Sequence, residues 1–309
     1  MTFAMSLLEL NLHCTQADWP RYEQALEAAG SLALTLLDAQ ANSDHEQAIL
    51  EPGCGQTPLW GQLHFSALFA AHTDPLALLA TLAAVDPDLD WSALRLARVE
   101  EQDWQRVWLD QFQPMCFGKR LWIVPWNHAL PAAAQTNEAA VVRLDPGLAF
   151  GSGTHPTTAL CLRWLDELAA NGQLAGKTVL DMGCGSGILA LAALKLGAAS
   201  ATGIDHDEQA LTATQDNAQR NGLFITTFAP ENAPTAGYDI VLANILAQTL
   251  DALAPHLAAC TLSGGHIALS GILHGQESEL ITRYSPWFEH LHTRQQEDWM
   301  QITGIRRAY

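Results

Sequence analysis

Basic residues are scarce: 15 Lys and Arg stand against 33 Asp and Glu, a formal net charge of −18. A protein that grips nucleic acid displaces counterions with a basic face, so this balance argues against DNA or RNA as a direct substrate. An acidic surface steers in a basic partner, and it also keeps a protein in solution; composition leaves both readings open. No C-x-x-C occurs. The six cysteines, Cys14, Cys54, Cys116, Cys161, Cys184 and Cys260, are scattered without metal-ligand spacing against His, which reads as reduced thiols with no metal site. Nor does any uncharged apolar stretch approach the ~20 residues of a membrane span. The opening M-T-F-A-M-S-L-L-E-L has no basic leader and carries Glu9 inside its apolar run, so the expectation is a soluble, cytoplasmic protein. With 49% apolar residues the 309-residue chain is comfortable for two domains and has core enough without disulfides. No internal repeat or low-complexity tract is evident.

What is present is glycine in a meaningful place. In D-M-G-C-G-S-G-I-L-A-L-A-A-L-K-L-G-A, residues 181–198, Gly183, Gly185 and Gly187 lie between a short apolar run and a helical pattern ended by Gly197. Such a strand-to-helix turn carries no Cβ and offers free N–H groups to a polar ligand. The dinucleotide fingerprint G-x-G-x-x-G fails in both frames, because its sixth position falls on Ile188 or Ala190. An acidic residue followed by G-x-G-x-G, here Asp181 to Gly187, instead resembles the first motif of S-adenosylmethionine-dependent methyltransferases.

Along the chain, residues 1–101 alternate as β-α-β-β-α-β, the order of a ferredoxin-like unit. Residues 102–138 form a connection in which Trp104, Trp108 and Phe112 recur at helical spacing, a stripe that reads as packing and docks the linker onto a neighbouring domain. It continues into an extended run, M-C-F-G-K-R-L-W-I-V-P. From 139 to 309 strands and helices alternate and end in two strands. The expected fold is α/β, a doubly wound, Rossmann-like methyltransferase sheet with an N-terminal α+β ferredoxin-like domain.

Asp205 ends the second strand of that sheet, 22 positions beyond Gly183, where a nucleotide site places a carboxylate for ribose hydroxyls; a helix N-terminal charge is the alternative. Y-D-I-V-L-A-N-I-L ends a later strand at Asn244 and resembles the Asn-containing motif of amino-group methyltransferases, with Ile245-Leu246 in place of the usual Pro-Pro. An amide there can accept an amine's N–H bonds and aim its lone pair at a methyl carbon, or it can serve as a helix N-cap. In L-D-P-G-L-A-F-G-S-G-T-H-P-T-T, residues 144–158, three glycines precede Pro156 in the first turn of a helix, a loop able to fold over a cofactor. His155 reads either as a base or as a capping histidine.

Taken together, the loop at 144–158, G-C-G-S-G-I-L-A-L-A-A-L-K-L-G-A, the G-I-D strand end, A-N-I-L and the closing W-x-x-I-T-G resemble the bacterial methyltransferases of large-subunit ribosomal protein eleven (L11) over essentially the whole length. That resemblance implies a protein N-methyltransferase acting on lysine side chains and the N-terminal α-amine of L11, with S-adenosylmethionine as cofactor and S-adenosylhomocysteine as product. Carried over by position, it places cofactor contacts on Phe150, Thr158, Gly183, Gly185, Asp205 and Asn244, and acceptor positioning on Asn244. It further implies an N-terminal domain that presents the substrate, no direct nucleic-acid or membrane partner, and a monomer. An acceptor lysine is protonated in water; a dry pocket beside a sulfonium lowers its pKa, so no dedicated base is required.

Overall fold

The computed structural model describes residues 6–41, 43, 58–100, 112–145, 153–234 and 237–308. The chain divides into two compact units, Met1–Trp104 and Gln105–Tyr309. Residues 51–57, Trp104, Trp108 and Phe150 lie outside the described residues; Phe112 of the aromatic stripe is buried.

In the first unit the order is β1 (Ser6–Thr15), α1 (Trp19–Ala28), β2 (Ala33–Asp38), β3 (Gln62–Phe69), α2 (Pro75–Val85) and β4 (Arg95–Glu100). The strands form an antiparallel sheet in the order β2-β3-β1-β4. Period-two alternation sends Leu8, Leu10 and Leu12 of β1 and Leu63, Phe65 and Phe69 of β3 to one face, where Trp19, Tyr22 and Leu26 of α1 and Leu78 and Leu82 of α2 complete the core. The other face of β1 carries Glu9, Asn11 and His13, the last stacked on His64 of β3 at 4.7 Å between ring centroids. Asp74 starts α2 by accepting a hydrogen bond from the Leu76 N–H, with Pro75 preset in the first turn.

The second unit opens with a correction to the sequence reading. The run M-C-F-G-K-R-L-W-I-V-P is two strands, β5 (Met115–Phe117) and β6 (Leu121–Val124), paired antiparallel. The chain reverses at Gly118, where φ is +79° and a Cβ would run into Asp166. The Asp166 carboxylate accepts the Lys119 and Arg120 N–H groups, a tertiary contact that no local pattern announces. β7 (Ala140–Arg143) pairs parallel to β6 and completes a three-stranded sheet.

The main sheet follows: α3 (Pro156–Ala170), β8 (Thr178–Met182), α4 (Ile188–Lys195), β9 (Ser200–Ile204), α5 (Glu208–Arg220), β10 (Thr226–Phe228), β11 (Tyr238–Asn244), α6 (Ala247–Cys260), β12 (Thr261–Leu273), α7 (Glu277–Tyr284), β13 (Phe288–Gln296) and β14 (Trp299–Arg306). Its order is β10-β9-β8-β11-β12-β14-β13, parallel from β10 to β12 with β14 and β13 antiparallel. Strands covered on both faces need continuous apolar runs, and Ile240, Val241, Leu242 and Ala243 of β11 are all fully buried. Ile240 and Leu242 meet α3 and α4 on one face, while Val241 and Ala243 meet α6 and α7 on the other.

Pro255 sits inside α6 and has no N–H for the carbonyl one turn back. The Arg283 Nε–H donates to the Asp251 carbonyl that Pro255 leaves without an N–H, and the Tyr284 hydroxyl donates to the Leu250 carbonyl, so α7 supplies the missing donor. From β8 the chain winds outward through β9 to β10, then returns to β11 beside β8 and winds the other way. The crevice beyond the C-terminal ends of β8 and β11 is therefore the topological switch point, where open sheets of this kind bind ligands. Among the described residues, no helix is long and apolar enough to cross a membrane, and no group of three His, Cys, Asp or Glu side chains is arranged to hold a metal ion.

Candidate active site

The glycine turn lies at that crevice. Gly183, Gly185 and Gly187 have φ of +73°, +53° and +78°. These are left-handed values that a side chain resists. Space forbids a Cβ as well: at Gly183 it would collide with the Ile245 side chain, and at Gly187 it would lie 2.9 Å from Thr214 Cγ2. The turn is clamped from below. Gly183 and Cys184 N–H groups donate to the Ile204 carbonyl at 2.7 and 3.1 Å, and Thr214 Oγ1 donates to the Gly185 carbonyl at 3.0 Å. Gly183→Ala is expected to remove cofactor binding in calorimetry and to lower the thermal transition as well, because the added Cβ meets the Ile245 Cγ2 methyl at a left-handed φ. Unaltered affinity in that variant would mean that the turn is not the grip.

Asp205 follows β9 and is 9% exposed. Its Oδ2 accepts the Gly185 N–H at 2.9 Å and its Oδ1 the Asp207 N–H at 3.1 Å. The helix-terminal role falls to Asp207, which caps α5 by accepting from Gln209 N–H at 2.8 Å. Asp205 thus braces the glycine turn and still presents lone pairs to the cavity. Asn244 ends β11 half-buried. It is no helix cap, since α6 starts at Ala247 with Leu246 in the capping position. Its Nδ2 donates to Thr158 Oγ1 at 3.2 Å, and Thr158 is fully buried behind it.

His155 caps α3: its Nδ1 accepts from the Thr157 N–H at 3.4 Å and lies 2.7 Å from Thr157 Oγ1. Its ring meets Trp299 edge-on at 4.7 Å, and burial holds the imidazole below its ordinary pKa, with Glu297 pulling the other way.

These groups border a cavity of about 540 Å³, lined among others by Gly183, Asp205, His206, Pro230, Asn244 and Trp299. That volume is in the range of small-molecule sites. Of the residues singled out from sequence, His155, Gly183, Asp205 and Asn244 line it, whereas Gly185 and Thr158 stand behind as partners of Asp205 and Asn244. Lining residues to which the sequence reading assigned no role include His206, Pro230, Thr249, Trp299 and Leu246, the last 55% exposed. Trp299 was visible as the first letter of the closing motif. Only the antiparallel pairing of β14 with β12, Leu273 opposite Trp299, carries it to the cavity.

A family model described as Ribosomal protein L11 methyltransferase (PrmA) matches residues 6–307. The chain belongs to this family. It is 65% identical over 306 residues to the ribosomal protein L11 methyltransferase of Stenotrophomonas maltophilia (strain R551-3), covering 98% of this chain and 100% of that relative. The corresponding protein of Xanthomonas euvesicatoria pv. vesicatoria (strain 85-10) is 60% identical with the same coverage. Among solved structures, the ribosomal protein L11 methylase of Lactobacillus delbrueckii subsp. bulgaricus is 31% identical and superposes with a TM-score of 0.55 over 64% of this chain and 100% of its own. Members of the family methylate L11 with S-adenosylmethionine.

Proposed function

We propose that the β8–β11 crevice holds S-adenosylmethionine on the glycine turn, and that lysine side chains and the N-terminal α-amine of L11 enter opposite it. One arrangement carries this reading: a Cβ-free turn, a braced carboxylate and the Asn244 amide converge on one cavity at the switch point of the sheet. The residues fit the cofactor. We assign Asp205 to the ribose hydroxyls, Gly183 and Gly185 to the amino-acid end, and Phe150, within the 144–158 motif, to covering the cofactor. Thr158 contributes through Asn244, whose Nδ2 it engages.

Bound S-adenosylmethionine supplies an electrophilic methyl group on a sulfonium. Because the Asn244 Nδ2 is engaged by Thr158, its Oδ1 is the atom turned to an acceptor amine, accepting an N–H bond so that the lone pair lies in line. The apolar wall of Ile245, Leu246 and Trp299 desolvates the guest side chain. A lysine of reference pKa ~10.4 loses its proton more readily there, and no side chain has to act as base. His155 is assigned to capping and to holding Trp299.

The first unit, with its β-α-β-β-α-β order and β2-β3-β1-β4 sheet, is proposed as a ferredoxin-like domain that presents L11 to the site. The net charge of −18 suits a basic ribosomal protein and disfavours nucleic acid as substrate. A cytoplasmic monomer completes the reading. Incubation with labelled S-adenosylmethionine and fractionated unmethylated ribosomal proteins is expected to place label on L11 amines. Label confined to RNA or to small metabolites would reject the acceptor.

A further inference from the structure

Asp181, next to last in β8, is 1% exposed. Its Oδ2 accepts the Ala190 N–H of α4 at 3.1 Å, and its Oδ1 is buried without a hydrogen-bond partner. The groups that face it are neutral or acidic from every side. The Asp205 carboxylate comes from beyond β9, the Cys184 thiol from the glycine turn and the Cys161 thiol from α3. Behind Cys161, Gln301 of β14 donates to its sulfur at 3.5 Å, while the Gln301 Oε1 is itself buried and unpartnered. Among the described residues, no lysine, arginine or histidine pairs with Asp181. A buried carboxylate without a counter-ion is costly, and protonation is the usual relief.

One residue further on, the cavity lining begins at Met182 and Gly183. The methyl donor and its product differ there by one charge: the sulfonium is a cation and the thioether is neutral. We propose that Asp181 senses this charge, holding a proton while the crevice is empty or contains the thioether and releasing it to solvent when a sulfonium is bound. Once the methyl group has left, the sulfonium becomes a thioether and Asp181 takes a proton back, so the cycle balances. Donor is thereby favoured over spent product by a group that touches neither. This inference rests on the cofactor placement proposed above.

Burial, with the Asp205 charge adding to it, pushes Asp181 up to about 8 against the opposing Ala190 hydrogen bond. Both thiols are pushed up to about 12 and stay neutral throughout. The sign follows. A nearby cation favours the ionised carboxyl, so below pH 8 donor binding expels a proton and donor affinity rises with pH, by at most about tenfold per unit. Above that value Asp181 is already ionised and the rise stops. Product affinity gains no such slope from Asp181.

The test is calorimetry on the full chain at about pH 7.5, above the ordinary histidine range, in two buffers of different protonation enthalpy. S-adenosylmethionine is expected to release between about half a proton and one proton more than S-adenosylhomocysteine. Asp181→Asn is expected to abolish that excess. Infrared difference spectra need no variant: a protonated-carboxyl band should vanish on adding the donor and persist with the product. Equal proton counts for the two ligands, an excess that survives in Asp181→Asn, or an unchanged band would each overturn the sensor alone. No heat from either ligand would overturn the site reading and the sensor with it.

Discussion

Asn244→Ala is expected to lower the single-turnover rate of methyl transfer to L11 by about 10²–10³-fold, the range seen when one positioned polar group is removed from a reacting centre. Affinity for S-adenosylhomocysteine should fall far less, because the glycine turn and Asp205 are clamped by Ile204, Asp207 and Thr214, none of which depends on the amide. Thr158→Val supplies the companion. It keeps the Asn244 carbonyl but removes the hydroxyl that receives Nδ2, so the amide can rotate and the rate should drop by about tenfold, the scale of one neutral hydrogen bond. Turnover of Asn244→Ala at the wild-type rate would show that the acceptor amine is aimed by something else.

Deleting residues 1–101 is expected to leave cofactor binding intact and to abolish methylation of L11 at physiological concentrations. The packing supports independent folding. Among the described residues, Leu10, Phe65 and Leu82 belong to a core built from the first unit, while the two cores flanking the main sheet draw on residues from Met115 onward. Units with separate cores retain their fold when parted. The truncated protein should therefore give a cooperative thermal transition and bind S-adenosylhomocysteine with wild-type affinity by calorimetry, while label transfer to L11 falls below detection. Full turnover on L11 by the truncated protein would refute a presenting role for the first unit.

Much of this molecule can be read from local pattern because the governing physics is local. Continuous apolar runs such as Ile240–Ala243 mark buried parallel strands, and Gly183, Gly185 and Gly187 mark a turn that no Cβ fits. Pro156 after His155 marks a helix start, as the cap confirms. The reading failed at M-C-F-G-K-R-L-W-I-V-P, where an unbroken extended run hid a reversal at Gly118. What enforces that turn is the carboxylate of Asp166, which lies 46 and 47 positions from the two N–H groups it accepts.

Side-chain roles divide along the same line. Sequence spacing could bring Asp205 and Asn244 to strand ends but left each with two roles. Asp207 in the cap position of α5 and Leu246 in that of α6 remove the capping alternative, since a helix has a single N-cap, and the ligand roles of Asp205 and Asn244 are those proposed above. Trp299 and Asp181 show the opposite limit. One reaches the cavity through the pairing of β14 with β12; the other acquires its character from burial among Asp205, Cys161 and Cys184. By itself the sequence determined the doubly wound sheet, the glycine turn and the acidic balance, because backbone freedom, hydrophobic periodicity and net charge are properties of neighbours along the chain or of its sum. Only the tertiary structure decided which side chains share the cavity and which carboxyl group is buried beside it, because distance and desolvation are set by residues far apart in sequence.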